Sequence, residues 1–227
     1  MRKQSGFTLI EIAIVLVIIG LLLGGVLKGQ ELIQSARVRN LISQQDGVKA
    51  AYFGFLDRFR ALPGDYSKAT TTIAGTTVDG DNNGQITSGG AGTAKDEHIA
   101  AWEHLSHAGF INGSYIYSAV PESTSSAPSN PYARFLRIIY DGTYGGAASP
   151  ARHNLKTGNQ IPSDLIAEID RKIDDGNPIG GTFMFSPYDG GGTGATAAPL
   201  AGCIGTATSI TWVTLVVEPN CGGASLF

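Results

Sequence analysis

The sequence predicts an α+β fold: a long N-terminal helix, membrane-spanning in its first half and amphipathic in its second, packed on a small head with an antiparallel sheet. Three observations predict it. Residues 7–27 form an almost unbroken apolar run, close to the roughly twenty residues that cross a bilayer core as a helix. No proline precedes Pro63, and Val48, Tyr52, Phe55 and Phe59 recur at steps of four, three and four, which marks a single apolar helix face. Beyond Pro63 the apolar runs are short and separated by Gly, Ser, Thr and Asn, the pattern of brief strands between turns.

The first element begins with Arg2 and Lys3, which orient an apolar helix with its N-terminus in the cytoplasm. Glu11 sits one turn into the run, where a carboxyl group costs about 2.5–3.5 kcal/mol on insertion scales. It therefore calls for a partner, unless it is simply tolerated near the membrane surface. A secretory signal would have a shorter apolar region and a small-residue cleavage site, and neither is present.

Gly6-Phe7-Thr8-Leu9-Ile10-Glu11, preceded by Arg2 and Lys3 and followed by Ile12 to Leu23, resembles the processing site of type IV prepilins and type II secretion pseudopilins. A plain signal anchor explains the charges but not this hexapeptide as a unit. The resemblance implies a pilin-like fold. It also implies that a prepilin peptidase cuts after Gly6 and methylates Phe7, making Glu11 the fifth mature residue. In that family this carboxylate meets the amino terminus of a neighbouring subunit, a pairing that offsets two costly buried charges. The partners implied are the peptidase, other pilin or pseudopilin subunits, the inner membrane and its assembly platform. The location implied is a single-pass inner-membrane protein before assembly, and a periplasmic or cell-surface filament after it.

The chain thus divides into a leader (1–6), a transmembrane or filament-core helix (7–27), its amphipathic continuation (28–61) and a globular head (62–227). A helix continuous from Phe7 to about Arg60 would reach roughly 80 Å at 1.5 Å per residue. One departure concerns Lys28, where many members of the family carry proline. Here Gly24, Gly25 and Gly29 loosen the helix without removing a backbone donor. Leu62-Pro63-Gly64-Asp65-Tyr66 then stops it, because proline disfavours helical angles in the residue before it and Pro-Gly favours a turn. Similar Leu-Pro-Gly-Asp turns occur in prepilin-like proteins of Gram-negative bacteria.

With 227 residues and a net charge of −3, the chain has room for one head domain and shows no basic excess that would point to nucleic acid. The 31 glycines predict a loop-rich head. Cys203 and Cys221 lie downstream of the anchor, in an oxidising compartment where a pair persists as a disulfide; two free thiols are the alternative. Closing such a loop is worth about 3 kcal/mol in the chain-entropy model. Their spacing also fits the C-terminal disulfide loop of many pilins.

Asp79-Gly80-Asp81-Asn82-Asn83-Gly84-Gln85-Ile86 follows the first part of an EF-hand calcium loop, with oxygen side chains at alternate positions, a glycine for the turn and an apolar residue after it. Asp79, Asp81 and Asn83 are the candidate ligands, with the Gln85 carbonyl. Gly90 stands where the bidentate glutamate belongs, so Asp96, Glu97 or Asp65 would have to complete a Ca2+ site. A solvated turn is the alternative. Some pseudopilins hold a structural calcium in the head, which favours the ion.

Lys95–Ala108 predicts a helix with Ile99, Trp102 and Leu105 on one face and Gly109 ending it. Glu103 and His107 have a spacing that can hold zinc, but no cysteine or H-E-x-x-H motif supports it, and a solvated or hydrogen-bonded face is preferred. Ala133–Tyr140 predicts a strand and Gly142–Gly146 a turn. Ser163–Asp175 predicts a helix capped by Ser163. Asp170, Asp174 and Asp175 near its end could serve a metal, yet Arg171 and Lys172 between them favour a solvated helix end. Thr182–Phe185 and Ser209–Val217 complete the predicted sheet, with a Gly-rich loop from Gly190 to Gly202 between them.

No catalytic constellation emerges: the glycines miss the phosphate-loop spacing, and no nucleophile stands in a recognisable context. The reading is a non-enzymatic structural subunit of a type IV pilus-like filament. A type II secretion pseudopilin is the near alternative, and a membrane-anchored periplasmic module that never polymerises the distant one. The cysteine pair leans to the pilus and the calcium-like loop to the pseudopilus.

Overall fold

Helix α1 runs from Leu9 to Phe59 without interruption in the computed structural model, which describes residues 8–89, 95–118, 122–146, 149–205 and 210–227. Gly24, Gly25 and Gly29 do not break it. The chain forms two units, Met1–Arg39 and Asn40–Phe227.

In the first unit the apolar side chains from Leu9 to Leu27 are exposed, Leu9 at 92% and Leu21 at 74%. A helix apolar on all sides must be covered by lipid or by other protein. Among the described residues this is the one helix long and apolar enough to cross a membrane. Its N-terminus is a capping box: the Thr8 N–H and Oγ1–H both donate to Glu11 Oε2 at 2.7 Å, while the Glu11 N–H returns to Thr8 Oγ1 at 3.4 Å. The motif satisfies donors that the first helical turn leaves open.

In the second unit the predicted apolar face of α1 becomes one wall of the core. Val48, Tyr52 and Phe55 are buried with Ile86, Trp102, Leu105, Leu136, Ile138 and Leu155, and Phe59 packs at the edge. Arg60 adopts a positive φ of 53°, and the chain then turns through Pro63. Gly64 is required there, since a Cβ would lie 2.2 Å from the Glu97 carbonyl oxygen. The short α2 (Ala69–Thr72) and then α3 (Glu97–His107) follow; α3 lies within the predicted span, with Ile99, Trp102 and Leu105 buried.

Four strands form one antiparallel sheet in the order β1-β2-β4-β3: β1 (Arg137–Asp141), β2 (Arg152–Lys156), β3 (Phe183–Phe185) and β4 (Gly223–Leu226). Ile139 faces Asn154 across β1 and β2, Leu155 faces Ser225 across β2 and β4, and Met184 faces Ala224 across β3 and β4. Helix α3 packs against β1, and α4 (Ser163–Ile173) packs against β3. The expected strand at Ala133–Tyr140 begins only at Arg137, because residues 130–134 close on Asn130, whose Oδ1 accepts from the Tyr132 and Arg134 N–H groups.

Two expectations are corrected. The described part of Ser209–Val217 pairs with no strand; Leu215 and Val216 are exposed at 98% and 79%, and the central place in the sheet goes to Gly223–Leu226. Ser163 does not cap α4. Pro162 precedes the helix without a side-chain cap, and Ser163 Oγ instead accepts the N–H of Glu218 at 3.0 Å.

Candidate functional site

Gly6 and Phe7, the expected processing site, lie outside the described residues. Glu11 is the first functional side chain in view, and its carboxylate is engaged by Thr8 three residues earlier. The sequence reading of Glu11 was a charge in need of a partner on a neighbouring subunit, or one tolerated near the membrane surface. The Thr8-x-x-Glu11 spacing carried the local partner as well.

The second candidate site forms where the Asp79–Ile86 loop lies along the turn that ends α1. The Gly80 N–H donates to Tyr66 O at 3.0 Å and the Asn82 N–H to Asp65 O at 2.8 Å. The approach is close enough that a Cβ on Gly80 would sit 2.2 Å from the Asp65 carbonyl carbon. This brings Asp65, Asp81 and Glu97 together, with one oxygen of each within 4.8 Å of the others. Asp65 and Glu97 are buried and Asp81 is exposed.

Each buried carboxylate is held by backbone donors. Asp65 accepts the N–H of Asn83 on Oδ1 and of Gly84 on Oδ2, both at 2.9 Å. Glu97 accepts Asp81 N–H at 3.2 Å on Oε1, and Thr87 N–H at 3.0 Å with Thr87 Oγ1–H at 3.1 Å on Oε2. Burial raises both carboxyls above their usual range, against these donors, and the Asp81 charge adds to the rise. An all-oxygen set of this kind suits a hard cation such as Ca2+.

The other predicted ligands are placed differently. Asp79 turns away to Thr70, accepting its N–H at 2.8 Å and its Oγ1–H at 2.9 Å. Asn83 Oδ1 accepts the Gln85 N–H at 2.8 Å, and the Gln85 side chain is exposed. Asp96 Oδ1 accepts Gly89 N–H at 2.9 Å. On α3, Glu103 Oε1 accepts from Thr77 Oγ1 at 2.8 Å and Tyr117 N at 3.2 Å, the hydrogen-bonded alternative to a zinc spacing.

A buried polar cluster that sequence reasoning missed surrounds Glu122. Arg137 donates from Nε and Nη2 to Glu122 Oε1, Tyr188 Oη donates to the same oxygen at 3.2 Å, and His98 Nε2 lies 3.4 Å from it. The Arg137 guanidinium also stacks 4.2 Å over the Tyr188 ring. Burial pushes the Glu122 carboxyl up, but the His98 and Arg137 contacts outweigh it and bring it to about 2. The four residues are far apart in sequence, and no local pattern joins them.

Cys203, at the end of α5 (Leu200–Ile204), is disulfide-bonded to Cys221 with Cα atoms 5.7 Å apart. The bond closes a loop that returns the chain to β4, and the Cys221 N–H donates to Ile161 O at 2.9 Å.

Residues 1–27 match the family model described as the prokaryotic N-terminal methylation motif. Neither the curated proteins nor the solved structures contain a match to this chain. The matched motif is the hallmark of type IV pilin and pseudopilin prepilins. It implies processing by prepilin peptidase and assembly with other pilin-type subunits, and the apolar helix behind it fits a single-pass anchor.

Proposed function

We propose that the chain is a structural subunit of a type IV pilus-like filament, cut after Gly6, methylated on Phe7 and held as a single inner-membrane span until an assembly platform packs it among its neighbours. The observation that carries this reading is the exposed apolar surface of Leu9–Leu27 behind a prepilin leader. Such a surface needs lipid at one stage and can take other subunits at the next. Glu11 supplies the carboxylate that fixes axial register against a neighbouring amino terminus.

A calcium ion held by Asp65, Asp81 and Glu97 belongs to the same proposal and favours the secretion pseudopilus as the second reading. Its support is the convergence of three carboxylates on the loop that closes the α1 turn. Calorimetry with Ca2+ on the full chain and on Asp81→Asn tests it; equal binding by the two would remove Asp81 as a ligand.

Intact mass spectrometry of surface-sheared filaments and of membranes tests the main reading. A mass beginning at methylated Phe7 in the sheared fraction supports the pilus subunit, and processed protein confined to membranes supports the pseudopilin. An uncut chain beginning at Met1 overturns both and leaves a plain anchor.

A further inference from the structure

The pair Asn-Gly occurs twice in the chain, as Asn83-Gly84 and as Asn112-Gly113. In this dipeptide the backbone nitrogen after the asparagine is uncrowded, because glycine carries no Cβ beside it. That nitrogen stands one ring closure away from the side-chain amide carbon. The fold puts the two pairs in opposite surroundings.

In the Asp79–Ile86 loop both groups that such a closure needs are held. The Gly84 N–H donates to Asp65 Oδ2 at 2.9 Å. The Asn83 side chain is fixed through both of its amide atoms: Nδ2 donates to Asp81 Oδ2 at 2.9 Å, and Oδ1 accepts the Gln85 N–H at 2.8 Å. Hydrogen bonds to carboxylates are among the stronger ones, so nitrogen and amide are kept where they are.

Asn112 and Gly113 lie in the turn beyond α3, where nothing of the kind restrains them. The turn is pinned at its two ends: the Phe110 N–H donates to Leu105 O at 2.9 Å upstream, and the Tyr115 N–H donates to Ser106 Oγ at 3.3 Å downstream. Between these pins, among the described residues, no hydrogen bond involves residues 111–114. Asn112, Gly113 and Ser114 are all exposed. Gly113 has a φ of 113°, and a Cβ there would lie 3.1 Å from the Tyr115 ring, so the turn requires its glycine. A segment with exposed side chains and no internal bonds has little to hold it in one conformation, and its nitrogen is free to reach the neighbouring carbon.

We propose that Asn112 is a site of spontaneous deamidation in the folded protein, while Asn83 is protected. The Gly113 backbone nitrogen, once it has lost its proton to solvent base, attacks Asn112 Cγ. The N–Cγ bond forms, the Cγ–Nδ2 bond breaks, and Nδ2 takes up a proton and leaves as ammonia. The product is a cyclic imide. Water then opens it: addition at Cγ gives aspartate, and addition at the main-chain carbonyl gives isoaspartate, with the chain rerouted through the side-chain carbon. In sum an amide and a water become a carboxylate and an ammonium ion, with no enzyme and no oxidant. The exposed, neutral turn thereby gains a negative charge, and the change accumulates with the age of the chain.

The test uses the full chain in zwitterionic detergent, aged at mildly alkaline pH and followed by peptide mass spectrometry, with a second sample aged unfolded in guanidinium. The expected result is conversion at Asn112 that outpaces Asn83 by about tenfold or more in the folded sample, since the bonds on Asn83 and Gly84 must open first. In guanidinium those bonds are gone, and the two pairs should react at similar rates. The Asn112 product should divide into an aspartyl peptide, cut by a protease that cleaves before aspartate, and an isoaspartyl peptide of the same mass that resists it. Asn112→Gln needs a larger and slower ring closure, so it should delay the first acidic shift on ion exchange; it alters one exposed turn residue and leaves the fold in place. Asn112 that stays intact while the unfolded sample converts, or equal rates at the two pairs in the folded chain, would overturn the proposal. So would a preference for Asn112 that survives guanidinium, which would assign it to neighbouring residues rather than to the fold.

Discussion

The backbone N–H of Gly64 donates to Nδ1 of His104 at 2.9 Å, which joins the turn that ends α1 to the middle of α3. The acceptor role of Nδ1 places the ring proton on Nε2, and that nitrogen contacts the Val78 carbonyl at 3.0 Å. A second proton on the ring would face the Gly64 N–H and break the link.

Burial holds the His104 imidazole below its usual value near 6.5, against the pull of the Val78 carbonyl. The unfolded chain therefore takes up the proton first, and stability falls as the pH drops below about 6.5 toward the depressed folded value. Urea unfolding in detergent at pH 7.5 and 5.5 should show a lower midpoint at the acid pH. His104→Gln should start less stable and lose part of that pH dependence.

Glu122 has the opposite sign of charge and a lower window. Its carboxyl is brought from 4.5 to about 2 in the folded state, so it stabilises above 4.5 and loses that contribution as the pH falls toward 2. The contribution is on the order of 3 kcal/mol. Glu122→Gln should lower the thermal midpoint at pH 7 and flatten the acid limb of the stability curve below pH 4.5.

At Glu11 the capping box and the charge can be separated. Glu11→Gln keeps an oxygen for the Thr8 N–H and removes the charge, whereas Glu11→Ala removes both; loss of a cap costs about 1 kcal/mol. If charge sets the filament register, both variants insert in the membrane and neither enters sheared filaments. Filaments built normally from Glu11→Gln would assign this residue to capping alone.

Replacing Cys203 and Cys221 together by serine should cost about 3 kcal/mol. The fall in thermal midpoint should match that produced by reducing the wild-type chain, because reduction opens the same loop.

Gly80→Ala puts a methyl group against the Asp65 backbone, where the available gap is 2.2 Å. Since backbone cannot rotate aside, a loss of about 2–4 kcal/mol is expected, together with weaker Ca2+ binding by calorimetry. Gly84→Ala, in the same loop but with open space around its Cβ, should cost less, from its positive φ alone.

The three long helices were legible in the sequence because their signals are local, whereas the short α2 and α5 were not foreseen, and α5 begins within the predicted Gly-rich loop. The steps from Val48 to Phe59 and the Ile99, Trp102, Leu105 face needed only a period. The sheet was harder. Residues 210–217 are β-branched and apolar, as strands are, yet they lie in the disulfide loop with Leu215 exposed. Gly223–Leu226 drew no strand prediction, because small residues fill a crowded position inside the sheet, where a Cβ on Gly223 would meet the Phe183 ring. The loop pattern singled out Asp81, and Asp65 and Glu97 were two of the three residues named as able to complete a site with it; the fold brings these three carboxylates together. Asp79, named by the same pattern, lies apart from them with its carboxylate on Thr70, a contact the pattern does not carry. The partners of Glu122 and the burial of Asp170 depend on contacts across the fold and left no mark on any short window.

The place of β4 between β2 and β3 bears on the order in which the head can form. A chain delivered N-terminus first, as from a ribosome, presents β1 and β2 as a hairpin, but β3 has no neighbour until residues 223–226 arrive. The disulfide partner Cys221 emerges just before them. The head therefore cannot mature piecemeal: its sheet closes in a late step that depends on long-range pairing, which is intrinsically slow. Until then the exposed edge of β2 is open to pairing with other chains, a hazard that ends when β4 slots into place.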